Sequence, residues 1–70
     1  MMKEVTLKVE GMSCAHCVSA VEKSIGALEG VSDVKVNLDQ GLVEVKFDDS
    51  IVSVEKIKET IDDQGYDVVS

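Results

Sequence analysis

The sequence has no proline and no tryptophan, and its only aromatic residues are Phe47 and Tyr66. A buried core must therefore be built from Val, Ile and Leu, a composition that favours ordered β structure over disorder. With 70 residues the chain is long enough for one domain, which we expect to span residues 1–70. It is too short for a deep substrate cleft or a second lobe.

Basic side chains are few: the sequence has fourteen acidic and seven basic residues, which gives a net charge of −7. The negative charge argues against nucleic acid as a partner, because a basic face supplies most of the affinity for phosphates. Binding to anionic membrane surfaces is disfavoured for the same reason. The acidity indicates either simple solubility or steering toward a partner that carries a basic patch.

Long apolar runs are absent as well. The N-terminus passes directly into a polar–apolar alternation, without the apolar stretch of a signal peptide or a membrane span. We therefore expect a complete, cytoplasmic chain that does not insert into a membrane. In a reducing cytosol, two cysteines separated by two residues are more often metal-binding or redox-active than a structural disulfide.

Period-two alternation of apolar residues predicts strands around residues 5–9, 34–38 and 43–47. The loop at 39–41 ends in glycine, which favours a hairpin between the second and third strands. A short last strand is predicted at 66–69.

Helical spacing predicts two helices. The first carries one apolar stripe and is expected to end at Gly30, with Gly26 inside it either weakening the helix or marking a close approach to the sheet; the stripe comprises Val18, Val21, Ile25 and Leu28. The second begins with Ser53 as N-cap and ends at Gly65. The order β-α-β-β-α-β predicts an α+β ferredoxin-like fold, with a four-stranded antiparallel sheet covered on one face by two helices.

The chemistry of the chain lies in its two cysteines. Cys14 falls in the loop after the first strand and Cys17 in the first helical turn, where backbone N–H groups and the helix dipole favour thiolate over thiol. Structural zinc normally takes four protein ligands, catalytic zinc three and iron–sulfur clusters four cysteines, whereas this chain offers two thiolates and an optional His16 imidazole. Soft thiolates select Cu(I) among the available ions. A metal ion that is held by so few ligands suits transfer better than storage.

The segment Gly11-Met12-Ser13-Cys14-Ala15-His16-Cys17 resembles the GM-[TS]-C-x-x-C signature of the heavy-metal-associated domain family. The likeness extends over essentially the whole chain, including the hairpin at 39–41 and the Gly65-Tyr66 pair, and is strongest to bacterial CopZ-type copper chaperones. The resemblance implies that the protein receives cytosolic Cu(I) and passes it to the metal-binding domains of a copper-transporting P-type ATPase.

The resemblance also implies that Cys14 and Cys17 both bind the metal, that Met12 packs inward beneath the loop and that Tyr66 lies near the site. Gly11 and Ser13 would support the loop. For several of these residues a second interpretation stays open. Met12 is either a core plug or a thioether ligand, and Tyr66 belongs either to the core or to the surroundings of the metal. His16 is a third ligand, a pH-dependent modulator of the thiolates, or an exposed helix residue.

The expected mechanism is associative ligand exchange, which needs no catalytic acid–base pair, so we do not expect an enzyme. The uncharged run from 11 to 21 is then either loop and helix surface or a docking surface. A copper-bridged homodimer is a further hypothesis. The rivals are a carrier for Hg(II) or Zn(II)/Cd(II), a thiol–disulfide oxidoreductase, and a module cut from the ATPase itself.

Overall fold

The structure, a computed structural model, describes residues 2–12 and 15–69. Its elements, in chain order, are β1 (Met2–Glu10), α1 (Ala15–Gly26), β2 (Val31–Asn37), β3 (Leu42–Asp48), α2 (Val54–Asp63) and β4 (Asp67–Val68). This order confirms the predicted ferredoxin-like fold. Within the described part of the chain, neither helix is long and apolar enough to cross a membrane.

The four strands form one sheet in the order β2-β3-β1-β4, and all three neighbouring pairs are antiparallel. In the two central strands, five alternating apolar side chains are buried, as the alternation predicted: Leu7, Val9, Val43, Val45 and Phe47. The register pairs Leu7 with Val43, so both strands turn their apolar residues to the same face.

Helix α2 begins where its sequence predicts. The hydroxyl oxygen of Ser53 accepts a hydrogen bond from the backbone N–H of Lys56 at 3.1 Å, which satisfies one of the free donors of the first turn. Ile57 and Ile61 are fully buried against the sheet. After the helix, Gly65 adopts a φ of +92° and its N–H donates to the carbonyl of Asp62 at 2.9 Å.

The prediction that α1 runs to Gly30 is wrong, because the helix ends at Gly26. Leu28 lies in the following turn, although its side chain still packs against the core. A Cβ built on Gly26 would have no atom within 4 Å, so the proposed close approach of this residue to the sheet is wrong too. The close approach occurs at Gly30, which has a φ of +96° and lies against Ile51. Because the positive φ of Gly30 is not helical, α1 must end before this residue.

The other differences concern the edges of the sheet. β2 starts earlier than expected, at Val31, and contains an irregularity between Val31 and Asp33. Leu38 lies in the hairpin turn rather than in the strand. β4 has only two residues, which leaves Tyr66 in the loop before it.

Candidate metal site

Four segments meet at one end of the sheet. The backbone N–H of Val9 donates to the carbonyl of Gly41 at 2.7 Å, which holds the β2–β3 turn beside the end of β1. Glu10 pairs with Asp67 across β1 and β4. A Cβ built on Gly11 would lie 3.5 Å from Cδ1 of Tyr66, so this ring covers the glycine. We call this region, formed by residues 10–12, 15–17, 38–41 and 62–67, the cysteine end.

Cys17 is the third residue of α1 and is half-buried, with part of its side chain packed against the core. The sequence predicted its place in the first helical turn, and this is confirmed. The first turn of α1 contains no acidic residue. The N-terminal end of the helix dipole therefore favours negative charge at the sulfur without competition from a carboxylate of that turn. Ser13 and Cys14 lie outside the described residues.

Met12 is buried, with 9% of its surface exposed, and belongs to the main hydrophobic cluster together with residues of both helices and the sheet. This position fits the core plug better than the thioether ligand. Gly11, immediately before it, has a φ of +98°, a conformation that side chains with a Cβ rarely adopt. The turn at Gly11 thus takes the chain out of β1 while Met12 points back into the core.

His16 and Tyr66 differ in exposure. His16 is exposed in the first turn of α1, next to the equally exposed Ala15. Tyr66 is half-buried, packs against the core and contacts Gly11. The structure therefore brings Tyr66 to Gly11, at the start of the cysteine loop, although the two residues are 55 positions apart in the sequence. Among the residues that the structure describes, no group of three or more His, Cys, Asp or Glu side chains is arranged to hold a metal ion.

Sequence reasoning missed the pairing of Glu10 with Asp67 at this end. No local sequence pattern indicates this pairing, because the register of β4 depends on where α2 ends. Sequence reasoning also missed Gly41, where a Cβ would lie 3.0 Å from the carbonyl oxygen of Val9. The sequence indicates Gly41 only as a turn residue, and the contact of Gly41 with β1 follows from the tertiary structure.

The acidic pair Asp48 and Asp49 lies at the other end of the sheet, next to the start of β1. The Ser50 hydroxyl donates to Oδ1 of Asp48 at 2.6 Å, and the Ser50 backbone N–H donates to the same oxygen. The hydroxyl hydrogen bond is the largest of the causes that lower the pKa of Asp48 to about 2. The ammonium of Lys3, 3.3 Å from Asp49, lowers the pKa of that carboxyl as well. Asp48 ends β3 and Asp49 follows it in the turn, at the end of the sheet away from Cys17.

Comparison with known proteins points to one family. The model of the heavy-metal-associated domain matches residues 6–67. The copper chaperone CopZ of Bacillus subtilis is 61% identical over 67 residues, which cover 96% of this chain and 97% of that protein.

Two solved structures superpose closely on the chain. A CopZ metallochaperone has a TM-score of 0.94 at 52% identity and covers 96% of this chain and 100% of its own. The N-terminal domain of a potential copper-translocating P-type ATPase from B. subtilis, solved in its Cu(I)-loaded state, has a TM-score of 0.92 at 34% identity over 97% of this chain and 85% of its own. The chain therefore belongs to the heavy-metal-associated domain family.

Proposed function

We propose that the chain is a cytoplasmic copper chaperone, a single domain over residues 1–70 that acts as a carrier and not as an enzyme. It binds Cu(I) through the thiolates of Cys14 and Cys17 and delivers it to the metal-binding domains of a copper-transporting P-type ATPase. The observation that carries the proposal is the 61% identity to a copper chaperone over nearly the full length of both chains.

The oxidation state and the partner are supported by the ATPase domain named above, which was solved loaded with Cu(I) and shares this fold with a TM-score of 0.92. Donor and acceptor would then present the same kind of loop at the same end of the same fold. Two thiolates are the soft ligands that Cu(I) prefers. The position of Cys17 at a helix N-terminus without a carboxylate in that turn agrees with a thiolate ligand.

Transfer proceeds by associative ligand exchange. A thiol of the receiving domain loses its proton as its sulfur binds Cu(I), which becomes three-coordinate. The sulfur of Cys14 or Cys17 then leaves and takes up a proton. A second exchange of the same kind replaces the remaining sulfur and completes the transfer. In each exchange one proton is released and one is bound, copper stays in the +1 state, and no oxidant or reductant is needed. The direction is set by the relative affinities and by the copper gradient.

The other residues of the cysteine end support this reaction without binding the ion. Met12 holds the loop from below as part of the core. Tyr66 shields the loop from water by covering Gly11. His16, exposed beside the cysteines, tunes the thiolates and is not a ligand in the monomer. The exposed residues of the uncharged segment 11–21, among them Ala15, His16 and Ser19, form the docking surface, where few charges must be desolvated.

The test is an anaerobic competition of the reduced protein for Cu(I) and Zn(II) against chromophoric chelators. Two variants accompany the wild type: Cys14→Ser/Cys17→Ser, and Ser19→Ala as a control at an exposed position of α1. We expect tight Cu(I) binding and weak Zn(II) binding by the wild type and the control. The double variant should lose both, with an unchanged far-UV circular dichroism spectrum.

If the wild type held Cu(I) no better than the double variant, the proposal would fail. A screen with Hg(II) and Cd(II) and a disulfide-reductase assay of the apoprotein would then distinguish the rival carrier from an oxidoreductase. Gel filtration at increasing copper loading tests the copper-bridged homodimer, and a monomer at every loading would rule it out.

A further inference from the structure

One side of β1 lacks a neighbouring strand over most of its length. β1 has nine residues, whereas β4 has only two, which pair with Val9 and Glu10. Next to that pair, the N–H of Val69 donates to the carbonyl of Lys8 at 2.8 Å. On the β4 side, the backbone of residues 2–7 therefore has no strand partner in the part of the chain that the structure describes.

Two hydrogen bonds show which backbone groups point to this open side. The N–H of Val9 donates to the carbonyl of Gly41, beside β3, whereas the carbonyl of Lys8 accepts a hydrogen bond from the β4 side. The backbone groups of successive residues in an antiparallel strand point to opposite sides. Because Thr6 and Glu4 lie an even number of residues before Lys8, their N–H and C=O groups are directed to the open side.

This open edge of β1 is regular, unlike the opposite edge of the sheet. β2, the strand at the opposite edge, has an irregularity between Val31 and Asp33, and bulges of this kind protect an edge strand from pairing with other chains. β1 keeps one register from Met2 to Lys8, and the chain contains no proline. The edge of β1 therefore has the geometry that an added strand needs.

A groove with a volume of about 410 Å³ lies between α2 and β4. Four of its six lining residues are acidic and one is basic; the lining comprises Glu55, Lys58, Glu59, Asp62, Asp67 and Val68. Glu59 also contacts Lys56 at 3.3 Å, but both side chains are more than half exposed, so water weakens this ion pair. The groove therefore favours positively charged side chains.

The direction of α2 extends this groove along the open edge of β1. The helix starts at the end of the sheet where β1 begins, and it ends shortly before Asp67, the partner of Glu10. Glu55 and Glu59 therefore lie toward the first half of β1, beyond the two residues of β4. A strand added beside β1 turns every second side chain toward α2 and these two carboxylates.

We propose that the open edge of β1 binds an extended segment of a partner protein, which pairs antiparallel with residues 3–7 and carries Lys or Arg at alternate positions facing α2. The backbone groups of Thr6 and Glu4 provide the hydrogen bonds, and Glu55 and Glu59 select basic side chains. The added segment continues the line of β4 away from the cysteine end. A partner bound in this way leaves the cysteine end free.

The probe is the peptide acetyl-Thr-Lys-Thr-Lys-Thr-Lys-amide, added to the ¹⁵N-labelled reduced apoprotein while the hydrogen exchange of single amides is followed by NMR. When its threonines pair with β1, its lysines point toward α2. We expect the amides of Glu4 and Thr6 to be protected at least about fivefold at saturating peptide. The amides of Val5 and Leu7 point to β3 and should keep their exchange rates.

Two control peptides separate the backbone contribution from the charge contribution. N-methylation of the three threonines removes the N–H donors that pair with β1 and keeps the charge, so it should abolish the protection. Replacing the lysines with glutamates keeps the donors and should weaken binding at least about tenfold. Equal binding of the N-methylated peptide, or protection confined to residues outside β1, would overturn the proposal.

Two variants of the protein test the groove. Glu55→Gln/Glu59→Gln should raise the dissociation constant of the lysine peptide about fivefold at low ionic strength. Glu22→Gln/Glu29→Gln makes the same change in net charge at exposed positions in α1 and the turn after it, and should leave the constant within about twofold.

Equal effects of the two variants would mean attraction by net charge alone and would overturn the assignment of the groove. Absence of binding at millimolar peptide would overturn the proposal as a whole. None of these measurements involves the metal, so their outcome is independent of the proposed function.

Discussion

Replacing Gly30 with alanine tests how the chain passes from α1 into the sheet. Gly30 has a φ of +96°, in the region that residues with a Cβ rarely adopt. A Cβ at this position would lie 2.9 Å from both Cβ and Cγ2 of Ile51 and 3.1 Å from Cγ1 of Val52. Backbone strain and a steric clash therefore act together.

The expected cost follows from these two contributions. A non-glycine residue in a left-handed conformation costs about 1–2 kcal/mol. Forcing a methyl group into a packed contact costs a further ~1–3 kcal/mol, reduced here because Ile51 is 56% exposed and part of its side chain can move. We expect Gly30→Ala to lower the free energy of unfolding by about 2–4 kcal/mol, a large fraction of the roughly 4–10 kcal/mol typical of a domain this size.

The assay is urea unfolding followed by circular dichroism at 222 nm, because the chain has no tryptophan to report by fluorescence. Gly26→Ala is the matched control. It lies at the end of α1 without a positive φ and with no atom within 4 Å of the added Cβ, so its stability should be unchanged or raised by up to about 1 kcal/mol. A Gly30→Ala protein as stable as the Gly26→Ala protein would refute the reasoning.

Three further predictions concern the capping, the core and the titration of the fold. Ser53→Ala removes the N-cap of α2 and should cost about 1 kcal/mol in urea unfolding, whereas Ser53→Asp should retain most of the stability. Ile61→Ala opens a cavity at a fully buried position and should cost about 2–5 kcal/mol; a smaller loss would mean that the core collapses around it. Asp48 has a pKa lowered to about 2 from 3.8, so its contribution to stability is complete above pH 3.8 and disappears as the pH falls through 2. Ser50→Ala should raise this pKa toward 3.8 in an NMR titration of the Asp48 carboxyl, and an unchanged midpoint would contradict the assigned hydrogen bond.

Most of the fold was predictable from local patterns. The alternation in 5–9 and 43–47 fixes which side chains face the helices, because a one-residue shift would expose all of them. Ser53 marked the start of α2 since its side chain completes the first turn. The end of α1 was not predictable in this way. Leu28 continues the helical spacing beyond the helix, and only the contact between Gly30 and Ile51 shows where the chain must turn.

The candidate site was predictable to a similar degree. The sequence identified Cys17 in a first helical turn and favoured an inward Met12, and the structure places both there. The ligand roles of Cys14 and Cys17 stay predictions, as do those of His16 and Tyr66. The pairing of Glu10 with Asp67 could not be predicted from the sequence. It depends on the register between β1 and β4, in which the two residues are 57 positions apart along the chain.

The sequence by itself determined the order of the strands and helices, the pair of cysteines and the acidic net charge, because these follow from composition and short-range periodicity. The tertiary structure decided where that charge is concentrated. Antiparallel pairing of β1 with β3 and β4 brings the hairpin turn, the end of α2 and the start of the cysteine loop together, and so gathers at one end five carboxylates that are scattered along the chain.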